Sequence, residues 1–309
     1  MKIVFLDRAS LGDASLKAIE ALGWLVCYET TAPEERKERI ADAEVIITNK
    51  VRIDRPEMEA APNLKMICIA ATGMNNVDLA AAEELGIPVK NVAGYSTESV
   101  VQCTFSHLLN LVGKLPYFDE RVKSGAYSQS GLFTDMGRSF WELKGKRMGI
   151  IGLGTIGRRV AEVAEAFGME AVYYPTSGKA HDDHFRAISL DELLTTSDVV
   201  SIHAPLNERT KNLIRSEELR RMKYTAILLN AGRGGIIHEG DLAEALNEGW
   251  IAGAGLDVYQ TEPLPADSPL LTVREQERLS LTPHTAWASA EARARLVAGI
   301  AKNIETLLK

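Results

Sequence analysis

Apolar residues fall into two kinds of run along this chain. Short continuous runs recur at 3–6, 24–28, 45–47 and 66–69. Where such a run is unbroken rather than alternating, it predicts a strand covered on both faces, as in a parallel sheet. Between them, residues 16–22, closed by Gly23, and the charged segment 33–40 have the spacing of helices. This alternation predicts an α/β unit of the doubly wound kind at the start of the chain. A long helix is predicted from about Glu98 to about Val112, with Ser96 or Thr97 as its cap. The stretch 123–140 has no period and is rich in Ser, Gly and aromatic residues, which predicts a surface arm or loop. Near the end, Leu296, Ile300, Ile304 and Leu307 share one stripe, with Arg293, Lys302 and Glu305 off it. That is an amphipathic helix, expected to pack back on the first unit and make it discontinuous.

The middle of the chain adds a glycine pattern. Residues 146–151 run into Gly152-Leu153-Gly154-Thr155-Ile156-Gly157; Val160, Ala161, Val163, Ala164 and Phe167 then recur at helical spacing until Gly168, and an apolar run covers 169–174. Strand, glycine turn, helix and strand in succession give the G-x-G-x-x-G spacing its meaning as a dinucleotide fingerprint. Gly152 permits the tight turn, Gly154 lets the backbone approach a pyrophosphate, and Gly157 lets helix and strand pack closely. The helix N-terminus offers free N–H groups and a partial positive charge to the phosphates. A dinucleotide unit at mid-chain implies a separate domain ahead of it. Two internal echoes, 41–48 with 196–203 and 64–73 with 224–232, agree with paired domains of similar topology and equally with convergence of βα units.

Composition narrows the classes. The 309 residues are 46% apolar and 25% charged, which suits two ordinary globular domains or one large one. A net charge of −7 lacks the basic face a general nucleic-acid binder needs. Cys27, Cys68 and Cys103 lie in apolar contexts without metal-ligand spacing, so they are expected to be reduced core residues of a cytosolic protein, and no metal site is expected. No apolar run approaches a membrane span, and Met1-Lys2 leads directly into a predicted strand, so no signal peptide is expected.

Three stretches after the glycine motif put chemistry at predicted strand ends, where open α/β sheets bind ligands. Arg233 follows the run 227–230 among Ala231, Gly232, Gly234 and Gly235. Its planar fork can hold a carboxylate by two parallel hydrogen bonds, and its small neighbours imply close approach by something else. Asp257 ends an apolar run and is placed to accept a hydrogen bond from a nicotinamide amide. Glu262 precedes Pro263, which holds its backbone extended; taken alone it reads as a solvated loop acid. His284 follows the run at 279–281, and an imidazole is suited to both give and take a proton near neutrality. A carboxylate at Glu262 lying against it would favour the imidazolium. His181 and His184 read as solvated loop residues, and His107, in mid-helix, as packed.

In their order and spacing these residues resemble the D-isomer-specific 2-hydroxyacid dehydrogenases along nearly the whole chain. The resemblance rests on 152–157, on His203-Ala204-Pro205-Leu206-Asn207-Glu208-Arg209-Thr210, on Asn230-Ala231-Gly232-Arg233-Gly234, on Asp257-Val258 through Glu262-Pro263, and on Pro283-His284-Thr285-Ala286. It implies two doubly wound parallel-sheet α/β domains: a central Rossmann NAD(P)-binding domain, 99–285, inserted into a flavodoxin-like substrate domain made of 1–98 and 286–309, with the site between them. It implies reversible hydride transfer between NAD(P)H and C2 of a short 2-keto acid, hydroxypyruvate or glyoxylate first, as in the family's glycerate dehydrogenases. Arg233 would bind the carboxylate and polarise the keto oxygen, His284 would give the alcohol its proton with Glu262 as partner, and the backbone at Gly73 and Met74 would help hold the carboxylate. Cofactor contacts are implied at Gly152, Gly154, Thr155, Ile156, Gly157, Tyr174, Thr176, His203, Ala204, Pro205, Thr210, Ala231, Gly232, Arg233, Asp257, His284, Ala286 and Thr104.

The same resemblance implies a homodimer formed through the nucleotide domains and a small-molecule substrate, while composition and patterning lead us to expect a cytoplasmic location and neither nucleic acid nor membrane as partner. NAD is the family's default. Tyr174, however, stands where NAD users carry an acid that binds the adenosine ribose and repels a 2′-phosphate. Thr176, Ser177 and Lys179 follow it and no arginine does, so NADP stays open. Gln102-Cys103 replaces an acid–histidine pair that lies outside the catalytic set. Lactate-type and phosphoglycerate-type dehydrogenases are the near alternatives; the latter often carry an extra regulatory domain with no counterpart here. Formate dehydrogenases, which have glutamine at the position of Glu262, are disfavoured. A nucleotide-sensing, corepressor-like interaction protein is the alternative of another class, with the lack of long tails counting against it.

Overall fold

The computed structural model describes residues 1–180 and 182–308. The chain divides into two compact units, Met1–Ser96 with Trp287–Lys309, and Thr97–Ala286.

The first unit is built on a five-stranded sheet of β1 (Lys2–Phe5), β2 (Trp24–Cys27), β3 (Val45–Thr48), β4 (Met66–Ile69) and β5 (Val89–Lys90), in the order β2-β1-β3-β4-β5. Every pairing is parallel, and this is the flavodoxin-like order. The continuous apolar runs have a direct cause. Ile3, Phe5, Val45, Ile47, Met66 and Cys68 enter one core, with Ile19 and with Leu296, Ile300 and Ile304 of the helix Ala290–Glu305. Their neighbours Val4, Ile46, Ile67 and Ile69 enter a second core on the other face, with Ile40, Met58 and Ala81. Both faces need apolar side chains, so alternation disappears. At the edge, β2 is open enough that Cys27 is exposed, which corrects the expectation of a core thiol; Cys68 is buried and Cys103 half-buried. The helix expected over 16–22 is the single turn Lys17–Glu20.

The second unit carries a seven-stranded parallel sheet: β6 (Arg147–Ile151), β7 (Glu170–Tyr174), β8 (Arg186–Ala187), β9 (Val199–Ile202), β10 (Ile227–Asn230), β11 (Gly253–Leu256) and β12 (Leu279–Leu281). The order is β12-β11-β10-β9-β6-β7-β8, so the winding reverses on either side of β6. Such a reversal opens a crevice at the carboxyl ends of the strands, where the glycine turn lies. The helix Thr97–Gly113 covers one face with Val101, Phe105, Leu108 and Leu111 against Ile150, Tyr173, Ile227 and Leu229. Gly255 makes this approach possible, since a Cβ there would lie 2.7 Å from the Cβ of His107. Residues 123–140 run along the surface and contain only the short helix Ala126–Gln129. A further helix, Leu115–Lys123, precedes them. It buries no residue fully, although Leu115, Phe118 and Val122 share one face. Among the described residues no helix is long and apolar enough to cross a membrane.

Candidate active site

The glycine turn divides its three glycines by task. Gly152 has φ +91°, in the region that favours glycine, and a Cβ there would lie 3.0 Å from the backbone of Ala204. A Cβ at Gly157 would lie 2.2 Å from the Gly152 carbonyl oxygen, so the helix Thr155–Ala166 can sit against the turn only with glycine. Gly154 differs, for no protein atom lies within 4 Å of its Cβ position. Its small size serves nothing in the protein's own packing and leaves the backbone open to a ligand. Gly154 gives the helix no side-chain cap, and the first helical donor is Arg158 N–H, 2.9 Å from the Gly154 carbonyl. The amides of Thr155, Ile156 and Gly157 therefore have no partner among the described residues and suit a pyrophosphate. These features fit a dinucleotide.

Beside this turn, Ile151 at the end of β6 is level with Tyr174 at the end of β7, and Gly152 N–H donates to the Tyr174 carbonyl at 3.1 Å. Tyr174 is half-buried against the core. Half-buried Thr176 and exposed Ser177 follow it. Arg209, from the loop after β9, reaches this turn and donates from Nη1 to the Ser177 carbonyl at 3.1 Å. Sequence reasoning missed Arg209, because nothing local to 203–210 shows which turn it meets. In the same loop, Thr210 is buried, donates to the Pro205 carbonyl at 2.6 Å and receives Asn207 N–H at 2.9 Å. Its hydroxyl thus braces the loop, while Pro205 is exposed and Ala204 packs on Gly152. Thr104 is likewise buried and donates to the Val100 carbonyl of its own helix at 2.8 Å. At half-buried His203, Nε2 lies 2.8 Å from Ser201 Oγ and Nδ1 is buried without a partner among the described residues. Burial pushes its pKa down to about 4, so the ring is neutral.

The other functional candidates leave three adjacent strands. Asn230, Leu256 and Leu281 are level at the carboxyl ends of β10, β11 and β12, so the segments bearing Arg233, Asp257 and His284 start from one edge. Arg233 is exposed and donates to the Gly232 carbonyl at 2.8 Å. Its turn is clamped by Asn230, whose amide donates to the Arg233 carbonyl (2.8 Å) and accepts from Gly232 N–H (3.0 Å). Half-buried Ala231 begins the turn. The small residues here predict close approach by something other than their own side chains. At Gly234 that something is the chain itself, since a Cβ would lie 1.8 Å from the Tyr259 carbonyl oxygen.

Asp257 is buried and already accepts three hydrogen bonds. Oδ1 receives Thr282 O–H (2.6 Å) and Thr285 N–H (2.8 Å), and Oδ2 receives Ala286 N–H (2.9 Å). Its carbonyl also accepts His284 N–H at 2.8 Å. Asp257 therefore holds the loop that presents His284, whose backbone has φ +55°, a conformation a non-glycine residue keeps only when its surroundings over-determine it. His284 Nδ1 lies 2.7 Å from Glu262 Oε2, and Glu262 Oε1 accepts Tyr259 N–H at 3.1 Å. With both carboxylate oxygens accepting, Nδ1 carries the hydrogen and Nε2 is left for proton exchange. The two side chains are 25% and 33% exposed, reachable yet sheltered. The Glu262–Pro263 peptide is cis. Behind this loop lies a layer that the sequence did not reveal: His107 is buried, 2.7 Å from Ser280 Oγ through Nδ1 and 3.1 Å from Thr282 Oγ1 through Nε2. Burial lowers its pKa.

In the first unit, the loop 71–78 is tied by Asn91, which donates to the Thr72 carbonyl at 2.5 Å, and by Val92 N–H to the Ala71 carbonyl at 3.2 Å. The amides of Gly73 and Met74 have no partner among the described residues, as an anion-binding loop requires. His184 is exposed and lies 3.1 Å from Glu165; His181 lies outside the described residues.

Residues 105–286 match the family described as D-isomer specific 2-hydroxyacid dehydrogenase, NAD binding domain. A hydroxypyruvate reductase of Blautia hydrogenotrophica is 39% identical over 316 aligned residues, covering 100% of this chain and 97% of that protein. A glycerate dehydrogenase of Methylorubrum extorquens is 37% identical, covering 99% and 96%. Among solved structures, an acyclic imino acid reductase in complex with NADPH and D-Arg aligns with a TM-score of 0.88 at 28% identity, covering 100% of this chain and 97% of the other.

Proposed function

The chain belongs to the D-isomer-specific 2-hydroxyacid dehydrogenase family and is an NAD(P)-dependent dehydrogenase; from this premise we propose that it reduces hydroxypyruvate or glyoxylate to the corresponding 2-hydroxy acid. The observation that carries the reading is the hydrogen-bonded His284–Glu262 pair on the same strand-end edge as Arg233. The guanidinium of Arg233 binds the substrate carboxylate through its fork and draws charge toward the keto oxygen. His284 delivers a proton from Nε2 to that oxygen as negative charge develops there. Glu262 fixes the tautomer and the ring's orientation, and Asp257 holds the loop in place. The amides of Thr155, Ile156 and Gly157 hold the cofactor's pyrophosphate, and the nicotinamide, when bound, supplies or takes up the hydride at C2.

The test follows loss of reduced-cofactor absorbance with hydroxypyruvate, glyoxylate and pyruvate, using NADH and NADPH in turn. Turnover fastest with hydroxypyruvate or glyoxylate supports the reading. Pyruvate as best substrate replaces it with a lactate-type activity, and tight dinucleotide binding without turnover replaces it with a nucleotide sensor. A homodimer belongs to the same reading, supported by the apolar side chains that the arm 123–140 leaves exposed. So does a cytoplasmic location, which suits three unpaired thiols.

A further inference from the structure

We propose that His107 is a positioning residue for the reaction: acting through Thr282, it fixes the Asp257 carboxylate so that one acceptor position on Oδ2 is kept for the carboxamide of the nicotinamide. The inference rests on the dehydrogenase reading but not on which keto acid is reduced.

The ring of His107 takes no part in the proton transfer or in carboxylate binding. It belongs to the helix Thr97–Gly113 and is 4% exposed, yet its two nitrogens meet hydroxyls 173 and 175 residues further along the chain. Gly255 of β11 makes room for it, since a Cβ there would lie 2.7 Å from His107 Cβ and 3.0 Å from its Cγ. An apolar side chain would fill the same space, so the two nitrogens are what a histidine adds here.

The direction of each hydrogen bond follows from Asp257. A carboxylate accepts, so the one hydroxyl hydrogen of Thr282 is spent on Oδ1 at 2.6 Å. Thr282 Oγ1 therefore accepts from His107, and Nε2, 3.1 Å away, carries the ring's hydrogen. Nδ1 is then the acceptor and takes the Ser280 hydroxyl at 2.7 Å. Burial, which lowers the pKa of His107, keeps the ring in this neutral form. Cys103 Sγ, 4.0 Å from Thr282 Oγ1, is a weak donor and no substitute for Nε2. The chain thus ends on a carboxylate with about four acceptor positions. Thr282 and Thr285 N–H occupy Oδ1, and Ala286 N–H occupies one position on Oδ2. Among the described residues the other position on Oδ2 is left, and it suits an amide donor. Without the Nε2 donor the Thr282 hydroxyl is free to turn, and Oδ1 loses a bond that fixes the carboxylate plane.

Dinucleotide binding tests this apart from turnover. ADP-ribose is the dinucleotide without its nicotinamide, so calorimetric titration of NADH against ADP-ribose isolates what the nicotinamide contributes. NADPH against 2′-phospho-ADP-ribose serves equally if that dinucleotide binds better. The variants are His107→Asn, whose amide stands in for Nδ1 and lacks the Nε2 donor, His107→Gln, whose amide reaches the Nε2 position, and Thr282→Val. One hydrogen bond is worth roughly three- to tenfold in affinity. His107→Asn and Thr282→Val should weaken NADH by about that factor and leave ADP-ribose within about twofold. Single-turnover hydride transfer to the best keto acid should slow at least as much, and His107→Gln should bring both readouts back to within about twofold of the wild type. Equal losses for NADH and ADP-ribose, or none for either, overturn the proposal, as does a His107→Gln as impaired as His107→Asn. If His107→Asn fails to fold, Thr282→Val carries the same comparison. A wild type that binds NADH no more tightly than ADP-ribose also overturns it. A wild type that binds neither NADH nor NADPH removes the dehydrogenase reading, and this proposal with it.

Discussion

His284 can pass a proton to substrate only through the nitrogen that Glu262 does not hold, so the 2.7 Å contact between them sets the tautomer as well as the ring's orientation. His284→Asn removes the proton donor, and kcat for ketone reduction should fall by roughly 10²–10⁴ with dinucleotide affinity retained. Glu262→Gln keeps the shape but presents an amide that can also donate, so kcat should fall while KM for the keto acid changes little. Steady-state kinetics in both variants check this, and an unchanged kcat in His284→Asn removes it from the reaction. His203 makes a different residue-scale prediction. Its folded pKa of about 4 lies below the ordinary 6.5, so the unfolded chain takes up a proton between these values and the folded one does not. The stability that goes with its neutral ring is complete above about pH 6.5 and is lost as pH falls toward 4, at up to about 1.4 kcal/mol per unit. His203→Gln should remove that slope, measured as urea midpoints at pH 7.5 and pH 5. The positions of His284, Glu262 and Arg233 past strand ends could be read from the order of residues. The three hydrogen bonds that Asp257 accepts from two backbone amides and Thr282 could not, because spacing carries no information on which hydrogen bonds a carboxylate has already made.

At the scale of elements, the sequence was most legible where burial was two-sided. The unbroken runs over β3, β4 and β10 became strands buried at every residue, since a parallel sheet demands apolar side chains on both faces. It was least legible where an element buries no residue fully, as in Leu115–Lys123, or where loops meet each other. Gly234 and Gly154 look alike as letters, and the structure separates them. At Gly234 a methyl group would strike the Tyr259 carbonyl at 1.8 Å, whereas at Gly154 it would meet nothing within 4 Å. Gly234→Ala should therefore cost stability, on the order of 1–3 kcal/mol, by forcing apart the loops that follow β10 and β11. Gly154→Ala should leave thermal melting little changed and weaken NADH and NADPH alike, because its methyl projects where the backbone is open to a ligand. Melting curves and dinucleotide titrations on the pair test the division. A Gly154→Ala protein with undiminished affinity would show that the pyrophosphate does not approach there.

For the molecule as a whole, the question is what the arm of the second unit does. Its backbone is pinned: Arg121 Nε donates to Asp135 at 2.8 Å, Tyr127 O–H donates to the Phe133 carbonyl at 2.7 Å, and Arg138 pairs with Glu277 at 2.7 Å. Its apolar side chains nevertheless face outward, with Phe133 93% and Met136 81% exposed, and Leu132 and Phe140 open beside them. The sequence predicted a surface arm from its missing period, but composition cannot distinguish aromatics that pack within a loop from aromatics left uncovered. A pinned segment presenting a cluster of large apolar groups is the kind of surface that association would cover. A second copy of the chain is the partner that the homodimer reading supplies. Light scattering after size exclusion should then give twice the 33.8 kDa chain mass. Phe133→Glu combined with Met136→Glu should shift it to the single-chain mass without lowering the melting of either unit, since neither residue belongs to a core. A wild type that elutes at the single-chain mass at micromolar concentration would remove the homodimer from the proposal and leave the strand-end chemistry untouched.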